Sequence, residues 1–317
     1  MLRLRKCLLT GANGFIALNL ARSLRKDGVE VVGLDIHRCN DASYAKCHQV
    51  DITGPIGAEL FENVDAVFHL AGKVHALAEI QADELEYSRV NTEGTRHVLE
   101  AAKAAEVKRF VFFSTVKAMS GKDEEVQETA FSELSGIQPG TPYGWSKLKA
   151  EELVLRGGYV PEPVVLRLCM VYGAGAKGNI LKMLRAVQRR CFPPVPELGN
   201  RRSMVHVSDV VQAAILVGTR PEAVGEVFIV SDGKAYSTRQ IYESMCRGLG
   251  RKVVPVSVPL WVLRALACIS HHKTRMGCHD RFVEVKTSAA RRFWDSASLH
   301  PAGPSFPSPK PPNLGRF

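Results

Sequence analysis

KCLLTGANGFIA, residues 6 to 17, decides the fold: a short apolar stretch runs into Gly11 and Gly14, and the apolar residues Leu18, Leu20, Ala21 and Leu24 that follow recur at helical intervals. The pattern predicts a strand, a tight turn and the start of a helix. Glycine at such a turn reaches backbone torsions closed to other residues. It also lets a pyrophosphate approach the amides at the helix N-terminus, where the dipole favours negative charge. The next apolar run, VEVVGLD, ends in Asp35, 24 residues after Gly11. An acidic side chain there accepts hydrogen bonds from adenosine ribose hydroxyls and repels a 2′-phosphate, which favours NAD over NADP; His37 and Arg38 beside it argue the other way. An ordinary strand-to-helix turn beside a solvated aspartate would show the same letters, so the rest of the chain has to decide.

Working outward, apolar runs at 5–10, 29–35, 46–50, 65–70, 109–114 and 163–169 alternate with helical patterns at 14–27, 80–105 and 143–156. This order predicts an α/β fold, a Rossmann-type doubly wound parallel sheet with helices on both faces. Ligands of such sheets bind at the carboxyl ends of the strands, where Gly11, Asp35, Asp51, Ala71, Gly72 and Thr115 all fall. Residues 1–170 are expected to form the dinucleotide-binding domain. SMVHVSDVVQAAILV, 203 to 217, reads as a strand and helix, and 201–220 is expected to return to that domain. A smaller C-terminal substrate lobe is expected from 171–200 and 221–300. The Pro-rich tail 301–317 reads as extended or disordered.

In TPYGWSK, 141 to 147, Tyr143 and Lys147 stand four residues apart, which on a helix puts a phenol and an ammonium on one face. A phenol with its ordinary pKa near ~10 carries protons poorly at neutral pH unless a nearby cation stabilises the phenolate, and Lys147 supplies that charge. A solvated helix face explains the spacing equally well when it is taken alone.

Composition sets bounds on function. With 317 residues, 45% of them hydrophobic and 23% charged, the chain is long enough for a large core and reads as a soluble globular, cytoplasmic protein. MLRLRK is basic, but the apolar stretch after it is too short for a signal peptide. The net charge of +10 suits anionic ligands. Lys182, Arg185, Arg189 and Arg190 follow helical intervals without interleaved aromatics, which argues against nucleic-acid binding. The eight cysteines contain no CxxC pair and read as reduced thiols rather than a disulfide framework. HHKTRMGCHD, with His271, His272, Cys278 and His279, lacks a second ligand pair at finger spacing, so no metal is expected. VVPVSVPLWVLRALACI, 253 to 269, is too short and too interrupted by two prolines and Arg264 to span a bilayer. It reads as a buried amphipathic helix, with peripheral membrane contact as the alternative.

Eight marks then stand in one order: TGANGFI at the first turn, Asp51-Ile52, FHLAG at 68–72, Asn91 in RVNTEGT, FFST at 112–115, YGWSK at 143–147, LRLCMVYGAG at 166–175 and RRSMVHVSDV at 201–210. Through them the chain resembles the extended short-chain dehydrogenase/reductase family, and within it the NAD-dependent nucleotide-sugar epimerase/dehydratase group. The resemblance covers about residues 5 to 235, with a fainter echo to about 306. It departs from the family pattern at Ala17, the third small residue of the turn, and at Thr115, where serine is usual. It also lacks the Leu-Gly-Trp turn expected near FVEVKTSAARRFWDSASLHP.

The resemblance implies NAD held by Gly11, Asn13, Gly14, Phe15, Ile16, Asp35, Asp51, Ile52, Leu70, Ala71, Gly72 and Asn91, with Tyr143 and Lys147 reaching the nicotinamide end. Asp51 and Ile52 would meet the adenine, and Asn91 would support the fourth and fifth strand ends. Tyr143, Lys147 and Thr115 would be the catalytic set, with Ser114 as substitute for Thr115. Thr115, Asn179 and Arg202 would contact a nucleotide-sugar substrate, with Arg201 competing for the role of Arg202. A homodimer is expected. Relatives that eliminate water carry an acidic pair after the catalytic threonine; Val116 and Lys117 stand there instead. That leaves 4-epimerisation first and keto-sugar reduction second, with a hydroxysteroid-type dehydrogenase further off.

Overall fold

The computed structural model describes residues 2–74, 82–119, 138–176, 178–197, 199–253 and 258. Its centre is a seven-stranded parallel sheet made of β1 (Lys6–Thr10), β2 (Glu30–Asp35), β3 (Lys46–Gln49), β4 (Ala66–His69), β5 (Arg109–Thr115), β6 (Glu162–Leu168) and a late strand, β9 (Val227–Val230). The spatial order is β3-β2-β1-β4-β5-β6-β9. The chain leaves β1 toward one edge and returns past it to start β4, so the strand order reverses between β1 and β4. The carboxyl ends part there and open a crevice.

Burial on both faces explains why the strands read as near-continuous apolar runs. Successive side chains point to opposite sides, so Cys7 and Leu9 join one core while Leu8 joins the other. The first core is closed by α1 (Phe15–Lys26) and α6 (Val207–Thr219). Ala17, Leu20, Ala21 and Leu24 of α1 meet Val210, Val211, Ala213, Ala214 and Val217 of α6 over Phe68, Val111 and Leu166. The second is closed by α3 (Gly94–Ala104) and α4 (Pro142–Arg156), whose Val98, Leu99, Ala150 and Val154 cover Val67, Phe110, Phe112 and Val165. The helix expected over 80–105 is broken in its described part into α2 (Ala82–Tyr87), a π-helical turn at Ser88–Glu93 and α3.

The smaller lobe holds a three-stranded sheet of β7 (Met170–Tyr172), β8 (Arg202–His206) and β10 (Ala235–Tyr236) in the order β10-β8-β7, with α5 (Asn179–Gln188) and α7 (Thr238–Gly248) beside it. Val187, Val195, Tyr242 and Cys246 form its own apolar cluster. Ser237 and Gln240 start α7 with a reciprocal capping pair.

Three expectations need correction. Within 201–220 the helix α6 returns to the main body, but β8 pairs with β7 and β10 instead of the large sheet. Residues 227 to 230, expected in the smaller lobe, supply the seventh strand of the main sheet, where Val165 to Leu168 of β6 pair with Val227 to Val230. Last, Cys39 and Cys47 form a disulfide with Cα atoms 6.0 Å apart, tying the loop after β2 to β3, whereas Cys7, Cys169, Cys191 and Cys246 are free thiols. The apolar run 253–269 apart from Val253 and Val258, the His271, His272, Cys278 and His279 group, the stretch 282–301 and the tail 301–317 lie outside the described residues. Among the described residues no helix is long and apolar enough to cross a membrane, and no cluster of three metal-ligating side chains occurs.

Candidate active site

The crevice begins at the glycine turn. Gly11 has φ +68°, and a Cβ on it would stand 2.9 Å from both Cα and N of Ala71, so the ends of β1 and β4 meet backbone to backbone. The Gly14 amide donates to the Gly11 carbonyl at 2.8 Å, closing the turn that launches α1. The Thr10 hydroxyl accepts from the amides of Leu70 (3.1 Å) and Ala71 (3.0 Å) and so holds the second wall in place.

Behind Thr10 lies a residue to which the sequence reading assigned no role. His69, fully buried, puts Nδ1 2.6 Å from Thr10 Oγ1 and Nε2 2.9 Å from Thr95 Oγ1. Thr95 spends its own proton on the Asn91 carbonyl at 2.6 Å, so we assign the tautomer in which Nε2–H donates to Thr95 and Nδ1 accepts from Thr10. Burial, reinforced by the Lys147 charge, pushes the imidazole pKa down to about 3 and keeps it neutral. The readable signal was the histidine in FHLAG, a polar residue inside a strand apolar on both faces.

Asp35, expected to meet the adenosine ribose, ends β2 beside the glycine turn. Its Oδ2 accepts from the Asn13 amide and its Oδ1 from the His37 amide, both at 2.9 Å, which leaves lone pairs for a ribose. Asn13 donates its side-chain amide to the carbonyls of His37 (3.1 Å) and Arg38 (3.3 Å), bracing the glycine turn against the loop after β2. Phe15 and Ile16 open α1; Phe15 borders Gly175, where a Cβ would meet the ring at 3.5 Å. Asp51 is exposed and accepts the Thr53 amide at 2.9 Å, a bond that holds its carboxyl below the usual carboxylate range. Ile52 turns inward and packs against Gly94. Asn91 is 1% exposed and spends its amide on protein partners. It accepts from the Lys73 amide (2.7 Å) and donates to the Lys73 carbonyl (3.1 Å) and Ser146 Oγ (3.0 Å). This brackets the segment after Gly72 to α4, a supporting role.

Tyr143, Lys147 and Thr115, the expected catalytic set, are positioned by the start of α4. Thr141 caps the helix by accepting the Gly144 amide at 3.1 Å, Pro142 occupies the first turn, and a Cβ on Gly144 would overlap the Lys117 carbonyl. The helix therefore starts hard against the end of β5. Tyr143 meets Thr115 there in a side-chain hydrogen bond, and the Tyr87 ring lies 5.7 Å from the Tyr143 ring. Lys147, one turn on, is 5% exposed, with its ammonium 3.9 Å above the Phe112 ring. Ser114 is buried and donates to Glu151, so of the two hydroxyls only that of Thr115 faces the tyrosine.

The electrostatics of the pair differ from expectation. Burial dominates both groups: it pushes the Tyr143 phenol up to about 12, against the Thr115 hydrogen bond, and pulls the Lys147 ammonium down to about 7, against the pull of Glu151. Lys147, expected to lower the phenol, is not among the groups that shift it; burial, the Thr115 side chain and Tyr87 are.

Of the residues expected to contact substrate, Asn179 is exposed at the first position of α5 and Arg202 opens β8 opposite Tyr236. Its competitor Arg201 is engaged with Glu197 at 3.2 Å.

The model of the NAD dependent epimerase/dehydratase family matches residues 7–231. The chain belongs to that family. It is thus an NAD-dependent enzyme of the extended short-chain dehydrogenase type, and the match spans every residue expected in the site. A UDP-glucose 4-epimerase from Vibrio cholerae is 30% identical over 263 residues, covering 81% of this chain and 80% of the relative. A ketoreductase from Stigmatella aurantiaca acting on a farnesylated dihydroquinoline oxide is 27% identical, covering 83% and 78%. Among solved structures, MoeE5 in complex with UDP-glucose and NAD superposes with a TM-score of 0.69 at 28% identity, covering 78% of this chain and 83% of that one. The residues present fit NAD: a side chain at Gly11 or Gly14 would fill the cradle before α1, and a carboxylate rather than a cation ends β2.

Proposed function

We propose that this protein is a nucleotide-sugar 4-epimerase of the UDP-hexose or UDP-hexosamine type. The observation that carries the reading is the Tyr143, Lys147 and Thr115 group at the carboxyl end of β5, followed by a residue pair that offers no acid. Val116 is apolar and buried and Lys117 is a cation, so neither position supplies the acidic side chains that elimination would use.

When bound, NAD supplies the hydride acceptor and donor. The chain's own residues would do the rest. Tyr143 takes the proton from the sugar O4 as the alcohol becomes a ketone and returns it as the alcohol re-forms. Thr115 holds that same oxygen, and a charged Lys147 favours the phenolate over the phenol. Asn179 and Arg202 would grip the nucleotide diphosphate, for which a guanidinium fork is suited. Because no net oxidation occurs, the bound cofactor is not consumed.

Keto-sugar reduction, in which Tyr143 would serve the same role, is the second reading, supported by the ketoreductase relative. A homodimer fits the outward face of α2 and α4, where Leu85 (81%) and Trp145 (48%) are exposed. Incubation of the purified protein with UDP- and dTDP-sugars separates the readings. The 4-epimer is expected to form without added cofactor; turnover only with added NADH or NADPH makes the protein a reductase.

A further inference from the structure

Tyr143, Lys147 and Glu151 stand at successive four-residue steps along α4, on one side of the helix. The third takes no part in the proton transfer above, yet it is the most elaborately held acid among the described residues. Glu151 is 1% exposed and Arg167 of β6 is 4% exposed. Arg167 Nε lies 3.1 and 3.2 Å from the two carboxylate oxygens, its terminal nitrogen donates to Oε2 at 2.6 Å, and Ser114 of β5 donates to Oε1. Such a pair is a poor way to stabilise a fold, because its desolvation cost offsets the attraction and apolar side chains of similar volume serve as well.

What the pair does provide is a fixed negative charge one helical turn below Lys147. The groups around that ammonium are Tyr143 above it on α4, His69 from β4, Phe112 from β5, Glu151 below it on α4, and Arg167 from β6 behind the carboxylate; Tyr87, from α2, faces Tyr143. His69 is neutral, the rings carry no charge, and Glu151 is the single anion of the group. Its oxygens are pinned from two strands, so it cannot swing away to solvent.

We propose that Glu151, locked by Arg167 and Ser114, is the positioning residue that keeps Lys147 protonated within the core and so makes the phenolate form of Tyr143 attainable. This rests on the Tyr143–Lys147 reading of the site. Burial works the other way on Lys147, and Glu151 is the charge that opposes it. An opposite charge at helical i,i+4 distance moves a pKa by roughly one to three units. Arg167 cancels part of the field, so the lower end applies.

The test is the titration of Lys147 by NMR of the protein carrying 13C-labelled lysine, its signal assigned by loss in Lys147→Met. In Glu151→Gln the Lys147 midpoint is expected to fall by about one pH unit, a tenfold change in acid constant. A folded Glu151→Gln protein that keeps the wild-type midpoint overturns the proposal. Should that variant fail to fold, Glu151→Met/Arg167→Met preserves the volume and removes both charges; a fall smaller than one unit, left after the loss of the opposing Arg167 charge, supports the proposal, and an unchanged midpoint overturns it. The titration needs no substrate, so it can fail while Tyr143→Phe still abolishes turnover, and it can succeed whichever sugar the enzyme accepts.

Discussion

The wall that carries Tyr143 and the lobe that carries Arg202 handle charge in opposite ways. Around α4, β5 and β6, Lys147, Glu151 and Arg167 are each 5% exposed or less and His69 is wholly buried, three of the four held by directed hydrogen bonds. In the lobe the ion pairs join residues four apart in the chain and keep more solvent: Arg201–Glu197 has side chains 37% and 50% exposed, and Arg239–Glu243 14% and 29%. Desolvated charges interact strongly and cost heavily when a partner is lost, whereas exposed ones are screened and nearly free to vary. Chemistry that depends on shifted proton affinities therefore belongs to the wall. Recognition of an anionic ligand at a wet surface suits the lobe.

The largest effect that would break this contrast is on stability. Arg167→Ala leaves the Glu151 carboxylate buried without its partner and should cost about 3–5 kcal/mol, whereas Arg201→Ala should cost under about 1 kcal/mol, both read from urea unfolding. Equal costs would mean that the wall is wetter than its geometry indicates.

A smaller effect concerns pH. His69 is neutral in the fold, with its pKa pushed from 6.5 to about 3. The unfolded chain therefore binds the extra proton first, and stability is full above pH ~6.5 and is lost as pH falls toward ~3 at about 1.4 kcal/mol per unit. Between pH 7 and pH 5 this single residue should remove about 2 kcal/mol, and in His69→Gln that part of the slope should vanish. A slope identical in both proteins would place the acid sensitivity elsewhere.

The smallest effect belongs to the lobe. Arg202→Ala should raise KM for the nucleotide sugar about tenfold while leaving kcat within about twofold, since a diphosphate clamp acts alike on ground and transition states. A fall in kcat of the same size would bring the lobe into the chemistry and blur the division.

The same contrast explains what the sequence made legible. The glycine turn, Asp35 and the Tyr143–Lys147 step could be read directly, because each depends on local backbone geometry or on helical spacing that survives without knowledge of the partner strands. The Arg167–Glu151–Ser114 lock and the His69–Thr10 brace could not, since they join strands and helices far apart in the chain; only the oddity of polar letters inside apolar strands hinted at them. The misplacement of Val227–Val230 has a similar origin: four apolar residues fit a sheet edge in either lobe, and pairing with β6 decides the matter. Lys147 teaches a further lesson. Spacing predicted a cation beside the phenol, but how far the core desolvates that cation depends on packing against Phe112 and on Glu151.

The central claim is that Tyr143 moves the proton of an interconversion in which the cofactor ends as it began. It is tested most directly by following UDP-hexose and UDP-hexosamine 4-epimers with wild-type protein and Tyr143→Phe, without added cofactor. Wild type should accumulate epimer, and the variant should retain the fold and bind NAD yet turn over about 10²–10⁴-fold more slowly. Epimer formation at the wild-type rate by the phenylalanine variant would contradict the account.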